Sequence, residues 1–116
     1  MKAGLTVTEE TQGAVLIVHL AGYLDGHTCA DLDRRVTALI KSGAKRLVIE
    51  LAGLSYIASA GVGIFINTQH VIEKAGGNLQ LVNPSPSVRE IFAILGLESL
   101  FVIHDTLPQG VTAAGA

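Results

Sequence analysis

Apolar residues recur along this chain in two rhythms, and the order in which those rhythms alternate defines a fold class. Leu5-Thr6-Val7-Thr8 alternates and predicts a short strand. Ala14-Val15-Leu16-Ile17-Val18-His19-Leu20 is almost continuously apolar and β-branched, the pattern of a strand covered on both faces. Gln12-Gly13 between them predicts a hairpin. Leu32, Val36, Leu39 and Ile40 then fall at helical spacing. Ahead of them, Thr28-Cys29-Ala30-Asp31 fits a capping box in which the Thr28 hydroxyl meets the Asp31 amide and the carboxylate reaches back. Arg46 to Leu51 is the next strand, and residues 52–58 read as a connection too long for a sharp strand-to-helix turn.

Ser59 is expected to cap a helix running from Ala60 to about Ala75. Val62, Phe65, Ile66, Gln69 and Ile72 form its face, widened by Ile64 and Val71. Leu79 to Val82 predicts a strand. Ser85-Pro86 opens a third helix with Val88, Ile91, Phe92 and Leu95 as its stripe and Gly96 at its end. Leu100 to Ile103 is a last short strand, and the Gly/Ala-rich residues 106–116 are expected to fray. The order β-β-α-β-α-β-α-β predicts a single α/β domain. Right-handed crossovers would build a mixed, mostly parallel sheet with helices packed against it.

Composition narrows what such a domain does. With 49% hydrophobic and 16% charged residues, the 116-residue chain can bury a real core, so it is not disordered. A net charge of −2 and 4% aromatic residues disfavour nucleic acid, which requires a basic patch or stacking platforms. The single cysteine, Cys29, excludes an internal disulfide and fits a reducing compartment. The longest apolar run, Ala14 to Val18, is far below the ~20 residues of a membrane span, and Met1 to Val7 lacks a signal-peptide stretch. A cytoplasmic domain with no membrane insertion is expected.

The chemistry-bearing segment is Ser55-Tyr56-Ile57-Ala58-Ser59-Ala60-Gly61-Val62-Gly63, which lies between a strand and a helix. Unpaired amides and the positive end of the dipole favour an anion at such a place. The dinucleotide fingerprint is incomplete, because Ile66 stands where its third glycine belongs, and no P-loop run exists. A nucleophile elbow would require Gly where Ile57 stands; Glu90 or Glu98 with His104 are the residues that could complete a small serine hydrolase. His19, His27, His70 and His104 are scattered, and His27-x-Cys29 has no second pair, so neither a metal nor a cofactor is expected. Arg34, Arg35, Lys41, Lys45 and Arg46 cluster around the first helix and its exit, as a solvated face or a surface for an acidic partner.

From about Leu5 to Ile103 the chain resembles the STAS domain family of anti-anti-sigma factors. Gly22-Tyr23-Leu24-Asp25 is similar to the family's G-x-L-D before the first helix. Ala58-Ser59-Ala60-Gly61-Val62 stands in the place of its D-S-S-G-L/V signature. Leu47 to Leu51, Leu54 to Ile57, Gly76 to Val82, Val88 to Phe92 and Leu95-Gly96-Leu97 resemble its other conserved segments. The resemblance implies a STAS domain over residues 1–105, followed by a flexible tail over 106–116. It also implies an anti-sigma factor antagonist that is not an enzyme.

In the family, an anti-sigma factor of the GHKL-type serine kinase class phosphorylates the signature serine, and a PPM-type serine phosphatase reverses it. The unmodified protein binds the kinase and frees the sigma factor. Carried over, Ser59 is the phosphate acceptor, and Asp25, Ile57, Ala58, Ser59, Ala60 and Gly61 form the partner surface. Ala58 and Ala60 depart from the family's aspartate and second serine. The resemblance equally covers a STAS subunit of a larger assembly, such as a lipid ABC transporter or a stress-signalling complex, without a phospho-switch.

Overall fold

The computed structural model describes residues 4–115. Its elements run β1 (Leu5–Gln12), β2 (Val15–Leu24), α1 (Cys29–Lys41), β3 (Arg46–Ile57), α2 (Ser59–Lys74), β4 (Asn78–Val82), α3 (Pro86–Leu95), a 3₁₀ turn (Leu97–Ser99), β5 (Ile103–His104) and α4 (Leu107–Ala114). They build a five-stranded sheet in the order β1-β2-β3-β4-β5. β1 and β2 form the expected hairpin, with Gln12 opposite Val15, and the remaining neighbours are parallel. The expected α/β class and strand order are thus present.

Alternation along the strands divides the core between the two faces of the sheet. Val18, Leu20, Leu47, Ile49, Leu79 and Leu81 point to the side of Leu32 and Val36 from α1, Phe65 and Ile72 from α2, and Val88 and Phe92 from α3. Phe101 joins these helices, edge-on to Phe65 and stacked on Phe92, with ring centroids 6.3 and 6.4 Å away. Val15, Ile17, Val48 and Val82 point to the other side, where Val111 and Ala114 of α4 cover them.

That last contact corrects the expectation of a flexible tail for residues 106–115; Ala116 lies outside the described residues. Thr106 caps α4 through a complete capping box with Gln109, and Pro108 stands in its first turn. Gly110 lets the helix lie directly on the sheet: a Cβ there would come within 2.0 Å of Val82 Cγ1. A Gly/Ala-rich stretch folds here because small residues permit the close approach.

Other boundaries also differ from the sequence reading. β3 does not stop at Leu51 but continues to Ile57, so residues 52–58 are not a loop. Register shifts against β2 break the two-residue period, and buried positions fall at 51, 54 and 57. On α2 the buried stripe is Gly61, Val62, Phe65, Thr68 and Ile72, whereas Ile66 and Val71 are exposed. Leu95 is likewise exposed at the end of α3. The last strand shrinks to Ile103–His104, because Leu97–Ser99 close a 3₁₀ turn after left-handed Gly96.

Candidate functional site

The carboxyl ends of the parallel strands β2 and β3 carry the residues singled out in the sequence. Leu24 pairs with Ile57 at the last rung, and the Ala58 N–H donates to the Leu24 carbonyl at 2.8 Å. This bond brings the β2–α1 loop, with Asp25, against the start of α2, with Ser59.

The α1 side is held by side chains, though not by the expected capping box. Thr28 takes no capping bond from its helix. Its hydroxyl faces back into the loop, donating to the Tyr23 carbonyl at 2.8 Å and accepting the Asp25 N–H at 2.9 Å. Asp31 is drawn to Arg34 instead of reaching back. The loop leading into the helix is held by Asp25, whose Oδ1 accepts the N–H groups of His27 at 2.9 Å and Thr28 at 3.1 Å. These bonds hold its carboxyl below the ordinary 3.8.

The α2 side is open. The cap position is Ala58, whose methyl group has no acceptor to offer, so Ser59 is the first helical residue and not the cap. Its hydroxyl takes no capping bond and its side chain is exposed. No acidic residue stands in the first turn of α2. No side chain of this turn opposes the partial positive charge of the helix end. Because β3 runs to Ile57, the turn from strand to helix is a single residue, Ala58, sharper than the sequence reading allowed.

The residues expected at a partner surface separate into two layers. Asp25 and Ala58 are half-buried, and Ser59 and Ala60 are exposed. Ile57 and Gly61 are buried and do not belong to the surface. They seat the helix: a Cβ on Gly61 would lie 2.6 Å from Leu24 Cγ and 3.1 Å from Ile57 Cγ1. Two exposed residues beside this layer are not among those expected at the partner surface, Tyr23 and Tyr56, which face each other across β2 and β3. Their place after the strand bulges hides them, since alternation no longer tells which side a residue faces.

The groups for serine hydrolysis do not assemble. His104 Nε2 lies 2.9 Å from Gln80 Oε1, and Ser59 has no histidine bonded to it. Among the described residues, no group of three His, Cys, Asp or Glu side chains could hold a metal, and no helix is long and apolar enough to cross a membrane.

Comparison with known proteins agrees with this arrangement. Residues 6–110 match the family model described as STAS domain. An anti-sigma F factor antagonist of Lysinibacillus sphaericus is 35% identical over 92 residues, covering 78% of this chain and 75% of the relative. An anti-sigma-B factor antagonist of Bacillus subtilis is 34% identical over 94 residues, covering 81% and 85%. The crystal structure of an anti-sigma factor antagonist from Mycobacterium paratuberculosis superposes with a TM-score of 0.87 at 26% identity, covering 97% of this chain and 96% of that one. The structure of the anti-sigma factor antagonist SpoIIAA in its unphosphorylated form gives 0.78 at 25% identity, covering 93% of this chain and 95% of that one. With its sheet order and a family match over residues 6–110, this chain belongs to the STAS domain family.

Proposed function

We propose that this protein is an anti-sigma factor antagonist. In this reading it binds an anti-sigma factor that is also a serine kinase of the GHKL type and thereby releases the sigma factor. Phosphorylation of Ser59 by that kinase ends the interaction, and a PPM-type phosphatase restores it. The observation that carries the reading is the state of Ser59: exposed, free of any capping duty, and first in a helix whose start is otherwise uncapped.

The chemistry follows from that position. A phosphate adds about −1.5 to −2 charge at neutral pH. At the start of α2 it meets the helix's partial positive charge in a turn without acidic residues, so the fold tolerates it. In a contact surface the same dianion must be desolvated, and it repels any carboxylate of the partner. Modification thus acts by blocking contact, not by unfolding. The substitution of Ala58 for the family's aspartate removes one carboxylate beside the acceptor but leaves the hydroxyl free.

The test is phosphosite mapping by mass spectrometry after incubation with the candidate anti-sigma factor and ATP. A single phosphate on Ser59, removed by a PPM-type phosphatase, is the expected result. Absence of phosphate at Ser59 while the complex still forms would leave a binding subunit without a switch.

A further inference from the structure

The side of the sheet opposite α1–α3 is only partly covered. α4 protects Val15, Ile17, Val48 and Val82. Beyond it, Ala21 and Tyr23 of β2 and Ala52, Gly53 and Tyr56 of β3 are exposed. Tyr23 and Tyr56 are 42% and 43% accessible, with ring centroids 6.3 Å apart and planes tilted by 39°. Each precedes a buried residue of the α1–α3 core, Leu24 and Ile57 respectively, and neither ring belongs to that core. The Ala58 N–H to Leu24 carbonyl bond ties this end of the sheet to the α2 terminus, and Ser59 follows Tyr56 closely along the chain.

Among the described residues, carboxylates predominate on this face. Glu10 and Glu50 flank His19, at 2.5 and 3.4 Å from its ring nitrogens, and Asp25 stands at the upper edge. Even with His19 protonated, the carboxylates outnumber it. Every described Lys and Arg lies elsewhere. Arg34, Arg35 and Lys41 are on α1; Lys45 and Arg46 are at the far start of β3; Lys74 ends α2; and Arg89 pairs with Asp105.

We infer that this open face is a docking surface for a segment of the anti-sigma factor that carries apolar side chains together with lysine or arginine, with Tyr23 and Tyr56 as its aromatic anchors. The inference rests on the function proposed above, and extends the contact from the start of α2 onto the sheet. Three features support it. Paired exposed tyrosines are the side-chain type that dominates interface energetics. The excess of carboxylates over cations among the described residues of this face, with Glu10 the exposed one beside His19, complements a basic segment. The face is continuous with Ser59, so a phosphate there would stand at the rim of the same interface and draw the segment's basic side chains away from their seats.

The experiment compares the full chain with a Tyr23→Ser/Tyr56→Ser double variant and with Ser59→Asp. Each is titrated with the anti-sigma factor used in the phosphorylation assay, and each is melted alone. The double variant should keep the parent's melting behaviour and bind about tenfold or more weakly. Parent affinity should fall as salt rises. If the double variant binds like the parent while Ser59→Asp binds weakly, the docking surface is overturned and the proposed function stands. If the double variant binds weakly while Ser59→Asp does not, the surface stands and the phospho-switch falls. If the parent sediments as a dimer that the double variant abolishes, with affinity for the anti-sigma factor unchanged, the face serves a second copy and the inference is overturned.

Discussion

Two helices of this protein begin with a serine at the end of a buried segment, and the two serines do opposite things. At α3, Ser85 occupies the cap position. Its hydroxyl accepts the Val88 N–H at 3.4 Å and donates to the Leu54 carbonyl at 2.6 Å, joining the helix to β3. At α2, Ser59 sits one residue further in, Ala58 takes the cap position, and the hydroxyl is left in solvent. A shift of one residue separates a hydroxyl committed to the fold from one available for chemistry. A local sequence of serine before an apolar run does not by itself reveal which of the two it is.

The largest effect should come from the structural terminus. Phe92 is 1% exposed and holds α3 against Phe101. Phe92→Ala should lower stability by about 3–5 kcal/mol in denaturant melts. An unchanged midpoint would mean that α3 does not anchor the core. Gly61→Ala should come next. Its new Cβ meets Leu24 and Ile57, whose strand ends carry the site, and overpacking of this kind costs about 1–3 kcal/mol. Melting together with titration against the anti-sigma factor checks it, and both should worsen, because the α2 terminus moves with its seat. A gain in stability, as expected for alanine in an unconstrained helix, would show that the contact yields freely.

Ser85→Ala removes a cap and leaves the Leu54 carbonyl without its donor, a loss of about 1–2 kcal/mol in the same melts. Partner affinity should hold, since Ser85 lies at the α3 terminus and not at α2. A smaller effect belongs to the loop ahead of α1, which the Asp25 carboxylate holds through the N–H groups of His27 and Thr28. Its folded pKa is depressed, so the stability it contributes is fully present above the ordinary carboxylate value of 3.8. That contribution is lost as pH falls through the lowered one. An NMR titration should place the Asp25 carboxyl midpoint below 3.8, and a midpoint at or above that value would contradict the bonds to His27 and Thr28.

The same contrast explains what could be read in the sequence. Ser85-Pro86 was legible because proline fixes the first helical residue and leaves serine as the cap. The start of α2 carries no such marker, and the bulged register of β2 against β3 sets it, a tertiary property. The bulges also hid Tyr23 and Tyr56 and made Leu51 look like the end of its strand. α4 was missed for a different reason. Thr106 and Gln109 form a capping-box pattern visible in the chain, but small residues at Gly110 and Ala114 mimic a frayed tail unless the sheet they pack on is known.

The central claim is that Ser59 controls binding without supporting the fold, and paired variants test it most directly. Because Ser59 caps nothing, Ser59→Ala should stay within about ±0.5 kcal/mol of the parent in melts and bind the anti-sigma factor as the parent does. Ser59→Asp places a carboxylate at the positive end of α2 and should be the more stable of the two by about 0.3–1 kcal/mol, yet bind more weakly. Stability and affinity then move in opposite directions, which no general folding defect produces. Equal affinity of Ser59→Asp and the parent would contradict the account.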